Sequence, residues 1–234
     1  MKSYNEYLSN INSKIRDIIS DCKNILYNKD TINIYCINED ISISVVSNIP
    51  NVTLHDLDKG NGSIIIYYKG TNFINCHITL RKECVVIIGF SNQKINKLCI
   101  LNNNGYGSIC YIGSGFSCMG TEIRLWENKN VYIGDDVMFS WAVMLFTSDG
   151  HTIFNKYGEI INKPEDIIIC DHVWVGHGVK ILKGGGVNKN CVIGESSVVT
   201  KKFDDENVIL SGVPAKIIKT GIMWDRRRLY KNPH

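Results

Sequence analysis

The sequence predicts an all-β solenoid, a parallel β-helix of hexapeptide repeats, and two observations carry that prediction. From Ile169 to Val199 an aliphatic residue recurs at every sixth position: Ile169, Val175, Ile181, Val187, Ile193 and Val199. Four places after these stand mostly small residues, Val173, Val179, Gly185, Cys191 and Ser197, while Gly176 and Gly194 each follow an inward aliphatic. A six-residue step turns the chain through one side of a triangular prism. Three short flat strands then make a coil, and every sixth side chain enters a narrow central stack.

The elements follow in chain order. Residues 1–28 carry Tyr7, Leu8, Ile11, Ile15, Ile18, Ile19, Cys22, Ile25 and Leu26 at three-or-four spacing, which predicts an amphipathic helix serving as a cap or an interface. Residues 29–95 change to short runs rich in Ile, Val and Tyr (32–37, 41–46, 63–68) broken by Asn, Asp and Gly. They read either as irregular early coils or as a small flanking β domain. The β-helix proper is expected over 96–220. Ile88, Ile100, Tyr106, Ile112 and Cys118 fit multiples of six, the phase breaks at an inserted turn over 126–130, and it resumes with Ile133, Phe139 and Leu145. Residues 152–166 have no six-residue pattern and should leave the solenoid as a loop, a length that in a compact repeat domain points to function or disorder. The tail, 221–234, holds Trp224-Asp-Arg-Arg-Arg-Leu-Tyr-Lys and reads as a short, solvated basic helix end.

Composition narrows the function classes. A formal net charge of +3 over 234 residues is too mild for a nucleic-acid partner, and no basic stripe interleaved with aromatics is present. The longest apolar runs, such as Val85 to Ile88, fall far below the roughly 20 residues that span a bilayer. With a polar N-terminus, the expected location is the cytoplasm. Nine cysteines, an odd number without a Cys-x-x-Cys pair, fit a reduced compartment better than a disulfide framework or a metal site. Cys191, and Cys110 if Tyr106 leads its hexad, fall on small inward positions where a thiol packs as a core residue.

Several ordered motifs then carry a resemblance. Ser148-Asp-Gly-His151 with its loop, Asp171-His-Val-Trp174-Val-Gly-His177, Val192-Ile-Gly-Glu-Ser-Ser-Val-Val-Thr200-Lys201 and Ser211-Gly-Val-Pro-Ala-Lys-Ile217 resemble the left-handed β-helix acyltransferases. Within these, the chain is most similar to the branch that O-acetylates sugars and bacterial surface polysaccharides, including the sialic-acid capsule O-acetyltransferases. The resemblance covers roughly residues 100–220. It implies acetyl-CoA as acyl donor, a sugar or polysaccharide acceptor, and a homotrimer with sites between subunits.

The chemistry selects candidate residues. A sugar hydroxyl of high pKa is a poor nucleophile, so its attack on a thioester needs a base, and a neutral imidazole suits that task near pH 7. His151, on a Gly-preceded turn beside the loop, is the best placed of the six histidines. Asp149 or Glu127 could orient its second nitrogen as a carboxylate does in a triad; Asp149 could equally cap its own Asp-Gly turn. Trp174 occupies an outward position that a flat repeat face normally gives to a small or polar group. The resemblance implies that it lines the groove for the pantetheine arm, although subunit packing would also cover an indole. The backbone N–H of Gly176 or His177 would hold the thioester oxyanion, and the resemblance favours His177. Lys201, Lys202, Lys216 and Lys219 lie where the family places cofactor phosphates, with Thr200 and the backbone near Glu195 and Ser196 as further donors. Glu195 departs from the family pattern, which often has Ala there. No metal is expected.

Two other classes compete. His151, His172 and His177 form a possible three-histidine zinc set resembling the γ-class carbonic anhydrases, which requires all three to converge at about 2.0–2.1 Å from the metal. A non-catalytic β-helix scaffold is the other, since fold alone does not fix function. A nucleotidyltransferase is disfavoured because residues 1–95 contain no Gly-rich phosphate loop.

Overall fold

In the computed structural model, which describes residues 2–58 and 61–227, the chain winds into a three-sided parallel β-helix. Face one stacks Ile43–Val46, Asn33–Ile37, Ile64–Tyr68, Val85–Ile88, Ile109–Ile112, Val131–Ile133, Ile167–Ile169, Gly186–Val187 and Lys202–Phe203. Face two stacks Val52–Asp56, Cys76–Leu80, Lys94–Leu101, Cys118–Arg124, Val143–Phe146, Lys180–Leu182 and Val198–Val199, with Asn72–Ile74 beside Lys94–Leu101. Face three stacks Met138–Phe139, Trp174–Val175, Val192–Ile193, Val208–Gly212 and Ala215–Thr220. Strands pair in parallel within these stacks except at two ends, where Ile43–Val46 and Ala215–Thr220 turn back antiparallel and close the first and third faces.

The register follows the repeat. Ile169 pairs with Val187 and Val175 with Ile193, each partner eighteen residues on, which is one coil of three six-residue sides. All six periodic aliphatics, and Val173, Val179, Cys191 and Ser197 between them, are fully buried. Leu145 pairs with Ile181 thirty-six residues away, so the excursion after Ser148 adds a coil's length of chain without adding a coil. One core runs from Ile34 to Ala215, so the strands between 33 and 88 stack in the same solenoid.

Two sequence expectations need correction. Tyr106 is not an inward position: it is half exposed in the connection before Ile109–Ile112, and the inward residues there are Cys110 and Ile112. Pairing with Val85–Ile88 and Val131–Ile133 sets that register, and the intervening turn absorbs the extra residues. The tail is not a solvated helix over its described part. Residues 222–227 form an irregular strap pinned back onto earlier coils by Trp224 and Arg226, and the remainder, 228–234, lies outside the described residues.

The N-terminal helix, Lys2–Ile25, covers no end of the solenoid; it lies along the outside of face one. Its 24 residues extend about 36 Å, and eight parallel strands about 4.8 Å apart stack to nearly the same height. The helix runs against the advance of the coils. The Tyr4 hydroxyl donates to the Phe203 carbonyl of the last face-one strand at 2.7 Å, and the Tyr35 hydroxyl of the first coil donates to the Leu26 carbonyl. Tyr4, Ile11, Ile15 and Cys22 pack on Tyr35, Ile66, Ile87, Tyr111, Tyr132 and Ile168. Face one is therefore buried on both sides, which explains its unbroken apolar runs Ile64-Ile-Ile-Tyr67 and Ile167-Ile-Ile169.

Eight of the nine thiols are buried and none is bonded to another. Burial pushes Cys110, Cys118 and Cys170 up to about 12, which leaves them as packing groups rather than nucleophiles. Among the described residues no helix is long and apolar enough to cross a membrane.

The seat of the helix depends on a glycine. The Tyr7 hydroxyl donates to Asp171 Oδ1 at 2.7 Å directly over Gly134, where an added Cβ would meet that hydroxyl and lie 2.8 Å from the Asp171 nitrogen. Gly134→Ala should lower unfolding stability by about 1–3 kcal/mol, read from denaturant titration; an unchanged midpoint would mean that the helix is not held there.

Candidate active site

His151 stands at the corner between faces two and one, and a buried polar cluster launches it outward. After Val143–Phe146 the chain buries Thr147, whose hydroxyl accepts the Trp126 N–H at 2.9 Å. Ser148, also buried, donates to Glu127 Oε2 at 2.9 Å and accepts the Gly150 N–H at 3.0 Å. Gly150 has φ +76°, and a Cβ there would touch the Trp126 ring at 3.0 Å, so the turn requires glycine. The exposed His151 borders a cleft of about 450 Å³ with Asn104, Arg124, Trp126, Phe146 and Leu182. The Arg124 guanidinium lies over both the Trp126 and Phe146 rings, 5.0 and 4.6 Å from their centroids.

Neither predicted carboxylate bonds to the imidazole. Asp149 accepts from the Lys183 ammonium and, at 2.8 Å, from the Asn162 amide, which also donates to the His151 carbonyl at 2.8 Å. It clasps the base of the excursion. The Lys183 hydrogen bond and charge, with help from Asn162, hold the Asp149 carboxyl below the usual carboxylate range. Glu127 acts on the turn through Ser148, and Ser148 rather than Asp149 caps it. Sequence reading passed over Ser148; its place in the Ser-Asp-Gly-His run was the available signal.

Trp174, Gly176, His177 and Ser196 gather at a different corner, between faces three and two. Trp141, His177 and Glu195 stack there in successive coils: Gly178 N–H donates to the Trp141 carbonyl at 2.9 Å, and Ser196 N–H to the His177 carbonyl at 2.7 Å. Ala142, Gly178 and Ser196 each turn the corner with φ between +54° and +68°. Gly176 N–H is engaged by the Ile193 carbonyl at 2.8 Å, whereas His177 N–H meets no acceptor among the described residues. That distinction separates the two oxyanion candidates: only the His177 N–H is free to receive an anion. Trp141 is 57% exposed, more than Trp174 at 40%, and sequence reading did not single it out although it too is an indole on an outward position.

The other candidates are spread more widely. Thr200 and Lys201 follow Val198–Val199 at the His151 corner, further along the stack. Lys202 lies on face one with its ammonium 5.9 Å from the Tyr4 ring centroid, turned to the helix. Lys216 and Lys219 are exposed on the closing strand Ala215–Thr220. Glu195 is exposed and stands at a different corner from Lys201. The zinc set does not converge, because His151, His172 and His177 occupy three different corners of the prism. The ring nitrogens of His172 face Asp136 Oδ2 at 2.6 Å and the Trp224 carbonyl at 3.0 Å. Among the described residues no group of three His, Cys, Asp or Glu side chains could hold a metal ion.

No protein-family model matches the chain. A polysialic acid O-acetyltransferase of Neisseria meningitidis is 32% identical over 196 residues, 82% of this chain and 87% of that protein. A polysialic acid O-acetyltransferase of Escherichia coli O1:K1 / APEC is 43% identical over 116 residues, 49% of this chain; the match spans only 36% of that protein's length. Galactoside O-acetyltransferase of Escherichia coli strain K12 is 35% identical over 130 residues, 54% of this chain and 62% of that protein. Two crystal structures superpose with a TM-score of 0.65: the polySia-specific acetyltransferase NeuO, 29% identical over 86% of this chain and 91% of its own, and the polysialic acid O-acetyltransferase OatWY, 26% identical over 87% and 95%.

The clasp at the foot of the excursion makes a pH prediction. Because the folded Asp149 carboxyl is depressed, its contribution is complete above the ordinary value of about 3.9 and fades as pH falls through the lower folded value. Asp149→Asn should therefore speed hydrogen exchange of the Asn155 and Ile161 amides, which donate to Glu159 and Ile153 carbonyls, and remove its acid dependence. Exchange equal to wild type across that range would show that the clasp does not order the excursion.

Proposed function

Since this chain belongs to the left-handed β-helix, hexapeptide-repeat O-acetyltransferases, we propose that it moves acetyl from acetyl-CoA to a hydroxyl of a bacterial capsule polysaccharide, with sialic acid as the sugar class. The observation that most supports direct transfer is the unengaged His177 N–H beside two exposed indoles, a preformed donor for a developing oxyanion.

In this mechanism the exposed imidazole of His151 takes the proton of the acceptor hydroxyl as its oxygen attacks the thioester carbonyl carbon. Negative charge on the carbonyl oxygen is received by the His177 N–H. Collapse breaks the C–S bond, the proton passes from His151 to the departing sulfur, and free coenzyme A and the acetyl ester result. No cysteine takes part, in keeping with the burial of the thiols. Ser148, held by Glu127, fixes the turn that presents His151, so the carboxylate positions the base indirectly.

One chain holds the two halves of this site at opposite edges of face two, His151 at one and His177 at the other. A second copy completes the site by bringing its His177 corner to this chain's His151 corner, and a homotrimer gives three such sites. The excursion supports this assembly: Ile153, Phe154, Tyr157, Ile160 and Ile161 are all exposed on one arm, an apolar surface that a neighbouring subunit would cover. Trp174 then lines the donor groove, with Thr200, Lys201 and Lys216 as polar and cationic contacts for coenzyme A.

His151→Ala should lower acceptor-dependent release of coenzyme A thiol by about 10²–10⁴-fold while leaving acetyl-CoA binding intact. Retention of most of the turnover against polysialic acid would eliminate this base, and an absence of wild-type release with sialic-acid, hexose and amino-sugar polymers would eliminate the acceptor class.

A further inference from the structure

We infer that the C-terminal strap Met223–Arg227 is the outer wall of the donor groove, and that Arg226 is the positioning residue that fastens it. The inference rests on the acetyl-CoA reading above and concerns a segment outside the repeat.

Arg226 is built into the solenoid rather than solvated. Its Nε donates to Asp136 Oδ1 at 2.7 Å and its Nη1 to Ser117 Oγ at 2.7 Å. Its Nη2 donates to the Gly115 and Val137 carbonyls at 2.9 and 3.1 Å. One guanidinium thus bridges two successive coils at the corner between faces one and three. The second oxygen of Asp136 faces His172 Nδ1 in the next coil at 2.6 Å. The His172 ring stacks on Trp224 at 4.2 Å between centroids and 13° between planes, and Trp224 Nε1 donates to the His172 carbonyl at 3.1 Å. Burial raises the Asp136 carboxyl, but hydrogen bonds from Arg226 and His172 outweigh it and keep the group below its ordinary value. Three coils therefore hold the strap through one carboxylate, one imidazole and one guanidinium.

The consequence is a groove that the repeat alone does not make. The strap stands off face three and leaves a cleft of about 770 Å³, with Met138 and Trp174 on the solenoid side and Met223, Trp224 and Arg227 on the other. The Trp174 and Trp224 rings meet at 6.0 Å between centroids with their planes tilted by 46°, so the two indoles form one continuous aromatic surface along the cleft. Met223 is 94% exposed and borders the cleft, so its thioether is accessible to an apolar ligand there. Two indoles and two thioethers line a cleft suited to a slender, largely apolar chain such as a pantetheine arm, and Arg227, whose Nε and Nη2 pair with Asp225, keeps its Nη1 for a phosphate at the end of that chain. Four of the five N–H donors of Arg226 are taken up by protein, so its main part is to hold the strap. Lysine would not replace it, since a single ammonium cannot reproduce the planar fork that meets four acceptors.

The test is calorimetric titration of coenzyme A into the full chain, with donor and acceptor KM and thermal melts measured on the same preparations. Trp224→Ala and Arg226→Ala should weaken coenzyme A binding and raise donor KM by about tenfold or more, while acceptor KM holds. Trp224→Phe, which keeps an aromatic face, should retain most of the affinity. If Arg226→Ala proves unfolded by its melt, Trp224→Ala alone decides, because it removes the indole from the wall and leaves the Arg226 anchor in place. Wild-type affinity in the folded variants overturns the inference, as does an equal rise in both KM values. Failure of the wild type itself to bind coenzyme A overturns the acyl-donor reading instead, and the two results are told apart by which protein fails.

Discussion

Everything in this molecule depends on closing each coil around a core too narrow for more than one large side chain per side, which in the regular part takes eighteen residues. Ile169, Val187 and Phe203 occupy successive levels of one column, Val175, Ile193 and Leu210 those of a second, and Leu145, Ile181 and Val199 those of a third. Each inward residue is packed by its neighbours above and below, so a register error at one level would propagate to the next. Longer pieces of chain must leave at a corner, where they do not disturb the stack. That is where the turn around Glu127 and the long excursion after Ser148 are found.

Corners are also where the proposed chemistry lies. A flat strand engages its backbone donors in the ladder, as Gly176 does with Ile193. The sharp turn that follows frees the next N–H, and His177 is left with a donor facing outward. The left-handed conformations of Ala142, Gly178 and Ser196 produce that corner in three consecutive coils, and the indoles of Trp141 and Trp174 flank it. At the opposite edge of face two, the left-handed Gly150 turns His151 outward over Trp126. Fold and site thus share one cause, the need to bend a flat strand sharply every six residues.

Two elements outside the repeat run lengthwise across many coils. The helix Lys2–Ile25 covers face one from Tyr35 to Phe203, and the strap 222–227 crosses three coils at the corner between faces one and three. Both are tied by long-range side-chain contacts, Tyr7 to Asp171 and Arg226 to Asp136. A solenoid whose coils touch only their neighbours gains from such ties, because they couple levels that the ladder links only step by step.

The sequence by itself determined the solenoid, because period six is a local property: the spacing from Ile169 to Val199 specifies which residues point inward whatever the rest of the chain does. It also offered His151, where the period gives way to the excursion, and Trp174, a large residue on an outward position, as candidates, while His177 came from the resemblance. The early coils were harder to read, since Ile64-Ile-Ile-Tyr and Val85-Val-Ile-Ile have no alternation; covered by a helix on one side and the core on the other, they need none. Tyr106 misled because a connection of chance length kept the count of six. Only the tertiary structure decided which N–H at the corner is free, that Asp149 clasps Lys183 and Asn162 while Ser148 holds the turn, that three histidines stand at three corners, and that Arg226 ties a strap to the coils. These rest on contacts between groups from 13 to more than 100 residues apart, on competition for one hydrogen bond, or on the stacking of whole coils, and none of the three leaves a trace in local spacing.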